Sequence, residues 1–154
     1  MTDYDSLDFS ELESASVDEV VTHALVRDVT LASGRTLALI TMHNGRDHRR
    51  PNTLGPLTLR ELADTLDGLR LRASNGEVDA VAITGKPYVF AAGADLSQIT
   101  SLSTRELALK IAQRGHHVLG KLGSLGVPSF AFVNGLALGG GLEIALNSTY
   151  RTVD

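Results

Sequence analysis

A glycine-rich segment near the end of the chain carries the residue types best suited to chemistry. An apolar run ends at Asn134-Gly135, and the glycines 139–141 then begin a predicted helix with one acidic side chain, Glu143. The first amides of a helix lack intrahelical acceptors and can bind an anion, and glycines let a ligand approach them closely. Because Glu143 follows Gly140 by three residues, its carboxylate shares a helix face with that amide. The segment therefore predicts an anion-binding amide beside a candidate acid or base.

Glycines in such a segment also serve other roles. Glycine clusters that follow a strand also serve purely as turns and close-packing positions, and this segment alone does not exclude that role. A dinucleotide-binding turn is disfavoured, because Gly-x-Gly-x-x-Gly starting at Gly139 requires a glycine where Ile144 stands. The sequence also lacks the Gly-x-Ser-x-Gly elbow of serine hydrolases.

A second segment has the same character. Residues 79–85 form a short apolar run that predicts a buried strand, and the predicted loop Lys86–Leu96 follows. The small residues from Ala91 to Ala94 leave the backbone uncovered, which suits a loop whose amides contact a ligand. The alternative is an ordinary connection from a strand to a helix, with Asp95 as the helix cap.

Together the two segments resemble the crotonase superfamily of enoyl-CoA hydratases and isomerases. The matching residues are Phe90–Leu96 and Val133–Glu143, which occur in the family's order and with a similar separation. The resemblance implies that the amides of Ala94 and Gly140 form an oxyanion hole for an acyl-CoA thioester, and that Glu143 is a catalytic glutamate. It also implies substrate contacts at Ala92, Gly93, Asp95, Leu96, Gly139 and Gly141.

The chemistry of hydration explains these residue types. Addition of water across a double bond conjugated to a thioester moves negative charge onto the thioester oxygen, and two fixed amides stabilise it. Loss of one such donor typically costs about 100- to 1,000-fold in rate. A carboxylate must also position or deprotonate the water. Hydratases of the family use two glutamates, and the resemblance places the second beyond Asp154.

The resemblance covers only part of a complete domain. It runs from about residue 20 to the end of the sequence and corresponds to the N-terminal part of a crotonase-like domain, so the domain is expected to be truncated here. Residues 1–19 are predicted to be an acidic, disordered lead. The chain also resembles the amino-terminal hydratase region of multifunctional fatty-acid oxidation proteins.

Strands and helices are predicted to alternate along the chain. The predicted order is ββαβαβα, which indicates an α/β fold with parallel crossovers, and the resemblance implies a crotonase-like ββα spiral. The strands are predicted at residues 20–31, 36–42, 80–85 and 129–133, and the helices after Pro56, from Ser103 to about Leu122, and at the three glycines. The final residues, 147–154, are predicted to begin another strand.

Composition excludes several classes of function. With 43% hydrophobic residues the chain can build a core, and no apolar run approaches the roughly 18 residues of a membrane helix. A net charge of −4 and 5% aromatic residues argue against a nucleic-acid surface. The acidic start lacks the features of a secretory signal, and zero cysteines exclude disulfides. A cytoplasmic location is therefore expected, with no membrane or nucleic-acid partner.

Two further groups of polar residues are candidates for ligand binding. A basic loop precedes Pro51 and contains His43, Arg46, His48, Arg49 and Arg50. It resembles the family loop near the coenzyme A site, and the side chains of Arg49 and Arg50 suit phosphate oxygens. The alternative is that it is only a solvated surface loop. His116 and His117 are adjacent, whereas two ligands of one metal on a helix would be three or four residues apart. No metal site is predicted, and the histidines are expected to be exposed or packed.

The expected function is that of an enoyl-CoA hydratase acting through an oxyanion hole and Glu143. The alternatives are an enoyl-CoA isomerase, another crotonase reaction, or a non-catalytic fragment that binds acyl-CoA. No cofactor is expected apart from the coenzyme A of the substrate. The resemblance also implies a homo-oligomer, a trimer or a hexamer.

Overall fold

The chain folds into a mixture of strands and helices. The computed structural model describes residues 18–94 and 105–154. The strands are β1 (His23–Thr30), β2 (Thr36–His43), β3 (Ala80–Gly85), β4 (Val89–Ala91), β5 (Ser129–Val133), β6 (Leu136–Ala137) and β7 (Tyr150–Val153). The α-helices are α1 (Pro56–Ser74), α2 (Arg105–Gly120) and α3 (Gly140–Asn147), and a 3₁₀ turn (Lys121–Ser124) follows α2.

The main sheet has five strands in the order β1-β2-β3-β5-β7. Only β1 and β2 are antiparallel, and they meet in a hairpin; each later neighbour is parallel, since a helix intervenes between consecutive strands of this sheet. A separate pair, β4 and β6, is also parallel. The architecture is thus the α/β fold with parallel crossovers that the sequence predicts.

The predicted apolar stripe of α1 faces the core. The helix begins at Pro56, and its leading amides at Leu57 and Thr58 donate hydrogen bonds to the carboxylate of Glu19, at 2.9 and 3.0 Å. A Cβ on Gly55 would collide with that carboxylate, so any other residue there would require the side chain of Glu19 to shift. The buried residues of the stripe are Leu59, Leu62, Ala63, Leu66 and Leu69.

The core lies between the helices and one face of the main sheet. Alternate residues of the strands are fully buried there, among them Ile40, Ile83 and Ala131, and Ile144 of α3 joins them. The opposite face is less covered, because Phe132 of β5 and Tyr150 of β7 are exposed. The sheet therefore has one buried and one partly open face.

The predicted element order is incomplete. The segment 86–96, predicted as a loop, contains the strand β4, and the glycine helix is preceded by β6. These strands are three and two residues long and pair with each other, and they are too short to show a local periodicity. The first strand begins at His23 rather than Val20, and α2 ends at Gly120 rather than near Leu122. The final strand, predicted from residue 147, is β7.

None of the helices within the described part of the chain is both long and apolar enough to cross a membrane.

Candidate active site

A tight turn after β5 sets the position of β6. The side chain of Asn134 accepts a hydrogen bond from the amide of Gly85 and donates to the carbonyls of Gly85 and Lys86, which fixes the end of β5 to the end of β3. Gly135 has a φ of +116°, and a Cβ there would collide with the backbone of Tyr88. Only glycine permits this approach, which places β6 beside β4.

The two segments that carry the predicted chemistry meet where β4 and β6 end. The amide of Leu138 donates to the carbonyl of Ala91 at 3.0 Å. Gly93 has a φ of +79°, and a Cβ on it would stand 2.8 Å from the nitrogen of Gly140 and 2.9 Å from the oxygen of Leu138. The backbones of residues 93 and 140 are therefore in direct contact, although they are far apart in the sequence. Two segments that form one site must approach each other in this way.

The loop that leads into α1 supports this contact from behind. The amide of Ala92 donates to the carbonyl of Asn52, and the amide of Leu54 donates to the carbonyl of Gly93, both at 2.8 Å. The fully buried side chain of Asn52 donates in turn to the carbonyl of Phe90 at 3.0 Å. These supporting residues were not identified from the sequence, because an isolated asparagine and leucine carry no local pattern that indicates such a role.

The amide of Gly140 is well placed to bind an anion. Gly140 is the first residue of α3, and its N–H has no acceptor within the helix. Gly139 precedes it with a φ of +51°, a conformation that favours glycine. Ala94 is exposed and directly follows Gly93, so its backbone lies next to the same contact. The predicted substrate contacts at Asp95 and Leu96 lie outside the described residues.

Gly141, the remaining predicted contact residue, has a packing role. A Cβ there would collide with the carbonyl of Ala91, and the amide of Gly141 donates to the carbonyl of Leu138 at 2.9 Å. The first turn of α3 can thus press against β4 only because this residue is glycine.

Glu143 is paired with a residue of the neighbouring helix. Its amide donates to the carbonyl of Gly139 at 3.0 Å, which places it in the first turn of α3. Its carboxylate oxygen Oε1 lies 2.6 Å from Nδ1 of His116 on α2. The sequence predicts that His116 is exposed or packed and not a metal ligand, but it does not predict this contact. No sequence pattern could have revealed it, since 27 residues and a different helix separate the two side chains.

A buried lysine organises the basic loop. The ammonium of Lys86 donates to the side-chain oxygen of Asn44 at 2.6 Å and to the carbonyls of Arg46, at 3.1 Å, and Asp47, at 2.8 Å, as well as to that of Arg50. Removal from water lowers the pKa of Lys86 below its ordinary value, against the attraction of Asp47. Lys86 thus holds the backbone of the basic loop through three of its carbonyls, and these hydrogen bonds do not involve the arginine side chains.

Residues of the basic loop line a cavity of about 600 Å³. Arg46 and Arg50 line it, and Arg49 does not. The amide of Arg49 donates to the carboxylate of Asp47 at 2.9 Å. Thr53 also lines the cavity, one residue before Leu54, which binds the carbonyl of Gly93. Within the described ranges, the cavity is also lined by Val20, Asn44, Asp47 and Pro51.

His117 belongs to a different place. It lines a separate cavity of about 160 Å³ with residues of α1 and of the 3₁₀ turn, among them Asp67 and Lys121. The two adjacent histidines therefore face different surroundings. Among residues 18–94 and 105–154, no group of three or more side chains is arranged to hold a metal ion.

Comparisons with known proteins show which family the chain resembles. Residues 32–154 match the family model described as enoyl-CoA hydratase/isomerase. The chain is 35% identical over 118 residues to a probable enoyl-CoA hydratase of Bacillus subtilis, a match that covers 77% of this chain and 43% of that protein. It is 39% identical over 95 residues to the fatty acid oxidation complex subunit alpha of Shewanella halifaxensis, over 62% of this chain and 13% of that one.

Solved structures give the same result for the fold. DspI of Pseudomonas aeruginosa superposes with a TM-score of 0.68 at 28% identity, over 90% of this chain and 52% of that one. An enoyl-CoA hydratase of Bacillus anthracis superposes with a TM-score of 0.67 at 26% identity, over 82% of this chain and 46% of that one. The fold is thus that of the crotonase family, although the chain spans about half of these structures or less. With the family model matched over most of its length, the chain belongs to the enoyl-CoA hydratase/isomerase family.

Proposed function

We propose that this chain binds the thioester of a 2,3-enoyl-CoA and adds water to its double bond. The observation that carries the proposal is the direct contact between the backbones of Gly93 and Gly140, one helical turn from the carboxylate of Glu143. A thioester oxygen that accepts hydrogen bonds from the amides of Ala94 and Gly140 would have its developing charge stabilised. Glu143 would act on the same bound molecule.

The proposed reaction is balanced as follows. Glu143 takes a proton from water, the hydroxyl bonds to C3 of the acyl chain, and the π electrons move to the thioester oxygen as an enolate. As the carbonyl of the thioester re-forms, C2 takes up the proton that Glu143 received from the water, and Glu143 is again a carboxylate. The substrate thus gains one water molecule and no redox step occurs. This chemistry uses the coenzyme A of the substrate and no separate cofactor.

The basic loop supplies a place for the other end of the substrate. Coenzyme A is long and carries phosphates, whose oxygens match the geometry of arginine side chains. The cavity lined by Arg46 and Arg50 adjoins the site through Thr53 and Leu54. We propose that these arginines, and not Arg49, are the ones that meet the phosphates.

The test is a direct assay of hydration. Crotonyl-CoA incubated with the purified chain, and with a longer form of the protein if the coding region extends it, should lose the ultraviolet absorbance of its conjugated thioester. The product should be 3-hydroxybutyryl-CoA. If neither form hydrates crotonyl-CoA, the proposal is wrong.

An isomerase is the second candidate. Moving a double bond between positions 3 and 2 requires the same oxyanion hole and one group that carries a proton from C2 to C4. The first turn of α3 provides one such group, Glu143. Conversion of a 3-enoyl-CoA to the 2-enoyl isomer without hydration would favour this reaction. Binding of acyl-CoA without either reaction would indicate a non-catalytic binding protein.

A further inference from the structure

The contact between His116 and Glu143 joins two helices at the candidate active site. Nδ1 of His116, on α2, lies 2.6 Å from Oε1 of Glu143, on α3. The side chain of His116 is 83% exposed, whereas that of Glu143 is 33% exposed. The imidazole therefore reaches the carboxylate from the solvent side.

The direction of this hydrogen bond follows from the chemistry of the two groups. An ionised carboxylate can only accept, so Nδ1 of His116 must carry the hydrogen and donate. A neutral imidazole with its hydrogen on Nδ1 can make this bond, and so can an imidazolium, in which both nitrogens carry hydrogens. The bond is thus available in both charge states of His116.

Another histidine–glutamate pair in the chain provides a contrast. Nδ1 of His23 lies 2.9 Å from Oε2 of Glu61, and the other oxygen of Glu61 accepts the amide of Ala24, also at 2.9 Å. Both oxygens of Glu61 are therefore used to join β1 to α1. Among residues 18–94 and 105–154, only Oε1 of Glu143 has a side-chain hydrogen-bond partner, so the two oxygens of Glu143 are not used alike as those of Glu61 are.

We propose that His116 is a positioning residue for the reaction: it holds Oε1 of Glu143 and so directs Oε2 toward the reacting water or acyl carbon. This inference rests on the proposed function, since it assigns His116 a role through Glu143. An exposed ion pair by itself contributes little to stability, so stability alone is a weak reason for this contact. Restricting a catalytic carboxylate to one orientation, by contrast, acts directly on rate, because small misplacements of a reacting group are costly.

The experiment compares three variants in the hydration assay. His116→Leu removes the donor, His116→Asn restores an amide N–H near the place of Nδ1, and His23→Leu breaks the other histidine–glutamate pair. We expect His116→Leu to lower kcat by about 10- to 100-fold with little change in KM. His116→Asn should recover most of that loss, and His23→Leu should keep the parent kcat. Thermal unfolding of each variant measures any loss of structure separately.

A double variant distinguishes positioning from a general structural role. If His116 acts through Glu143, His116→Leu should cause no further loss of kcat when Glu143 is already glutamine. An equal loss in both backgrounds would overturn the inference, as would a parent-like kcat for His116→Leu. A parent protein that neither hydrates nor isomerises any enoyl-CoA would instead refute the proposed function, and the role of His116 with it.

Discussion

A Cβ placed on Gly93 would stand 2.8 Å from the backbone nitrogen of Gly140, the residue that begins α3. That distance is shorter than real Cβ contacts, and the atom it would meet belongs to the backbone and not to a flexible side chain. The two chain segments can therefore meet only if residue 93 has no side chain. The distance between the two candidate oxyanion donors, the amides of Ala94 and Gly140, therefore depends on residue 93 being glycine.

The first prediction uses a matched pair of glycines. Gly93 and Gly34 both have a φ of +79°, but a Cβ on Gly34 would meet nothing within 4 Å. Alanine at either site bears the backbone cost of the left-handed conformation, roughly 1–2 kcal/mol. Gly93→Ala must in addition push β4 and α3 apart, so we expect it to lose more stability and to lose hydration activity. Urea unfolding and turnover of crotonyl-CoA measure the two effects, and equal behaviour of the two variants would refute the close contact.

The second prediction concerns the carboxylate. Glu143→Gln removes the acid–base group but keeps an oxygen that can accept the hydrogen bond from His116. Turnover should therefore fall by at least about tenfold, given the usual size of acid–base effects. The unfolding temperature should change little, because the pair with His116 is exposed. Near-parent turnover in a folded variant would show that Glu143 does not take part in the chemistry.

The third prediction separates backbone donors from side chains. A Cβ on Gly140 would stand 2.8 Å from Cδ1 of Leu54, and the bulk of valine would crowd both that side chain and the amide. Gly140→Val should therefore abolish most of the hydration activity. Ala94→Gly should be milder, because it keeps the amide and removes only an exposed methyl group. Titration with acyl-CoA and turnover measurements check both, and parent-like behaviour of Gly140→Val would remove Gly140 from the oxyanion hole.

The sequence predicts those parts of the fold that local patterns determine. The helical spacing of leucines after Pro56 and the apolar run before Asn134-Gly135 correctly located α1 and β5. The strands β4 and β6 were missed, because their pairing joins Val89 to Leu136 and leaves no periodicity in either segment. Short strands of this kind are stabilised by long-range contacts that a local pattern does not contain.

The candidate site likewise contains residues that the sequence predicts and residues that it does not. The glycines and Glu143 were identified because their residue types and spacing match chemistry within one short segment. The contribution of Asn52 depends on contacts across the fold, because its side chain binds Phe90 in β4 and its carbonyl accepts the amide of Ala92 just after that strand. The same holds for His116, which reaches Glu143 from another helix.

The last prediction tests where coenzyme A lies. The carbonyl of Arg50 accepts a hydrogen bond from buried Lys86, and this bond remains when only the side chain is removed. Arg50→Ala should therefore leave the loop in place while the cavity loses one guanidinium group. Loss of a hydrogen bond to a charged group costs about 1.5–3 kcal/mol, so KM for crotonyl-CoA should rise by about tenfold or more. KM for crotonyl-pantetheine, which has no phosphates, should not change. Arg70→Ala, which removes an exposed arginine of α1, serves as the control and should alter neither value. An equal rise in KM for both substrates would show that Arg50 acts on the site through the fold and not on the phosphates.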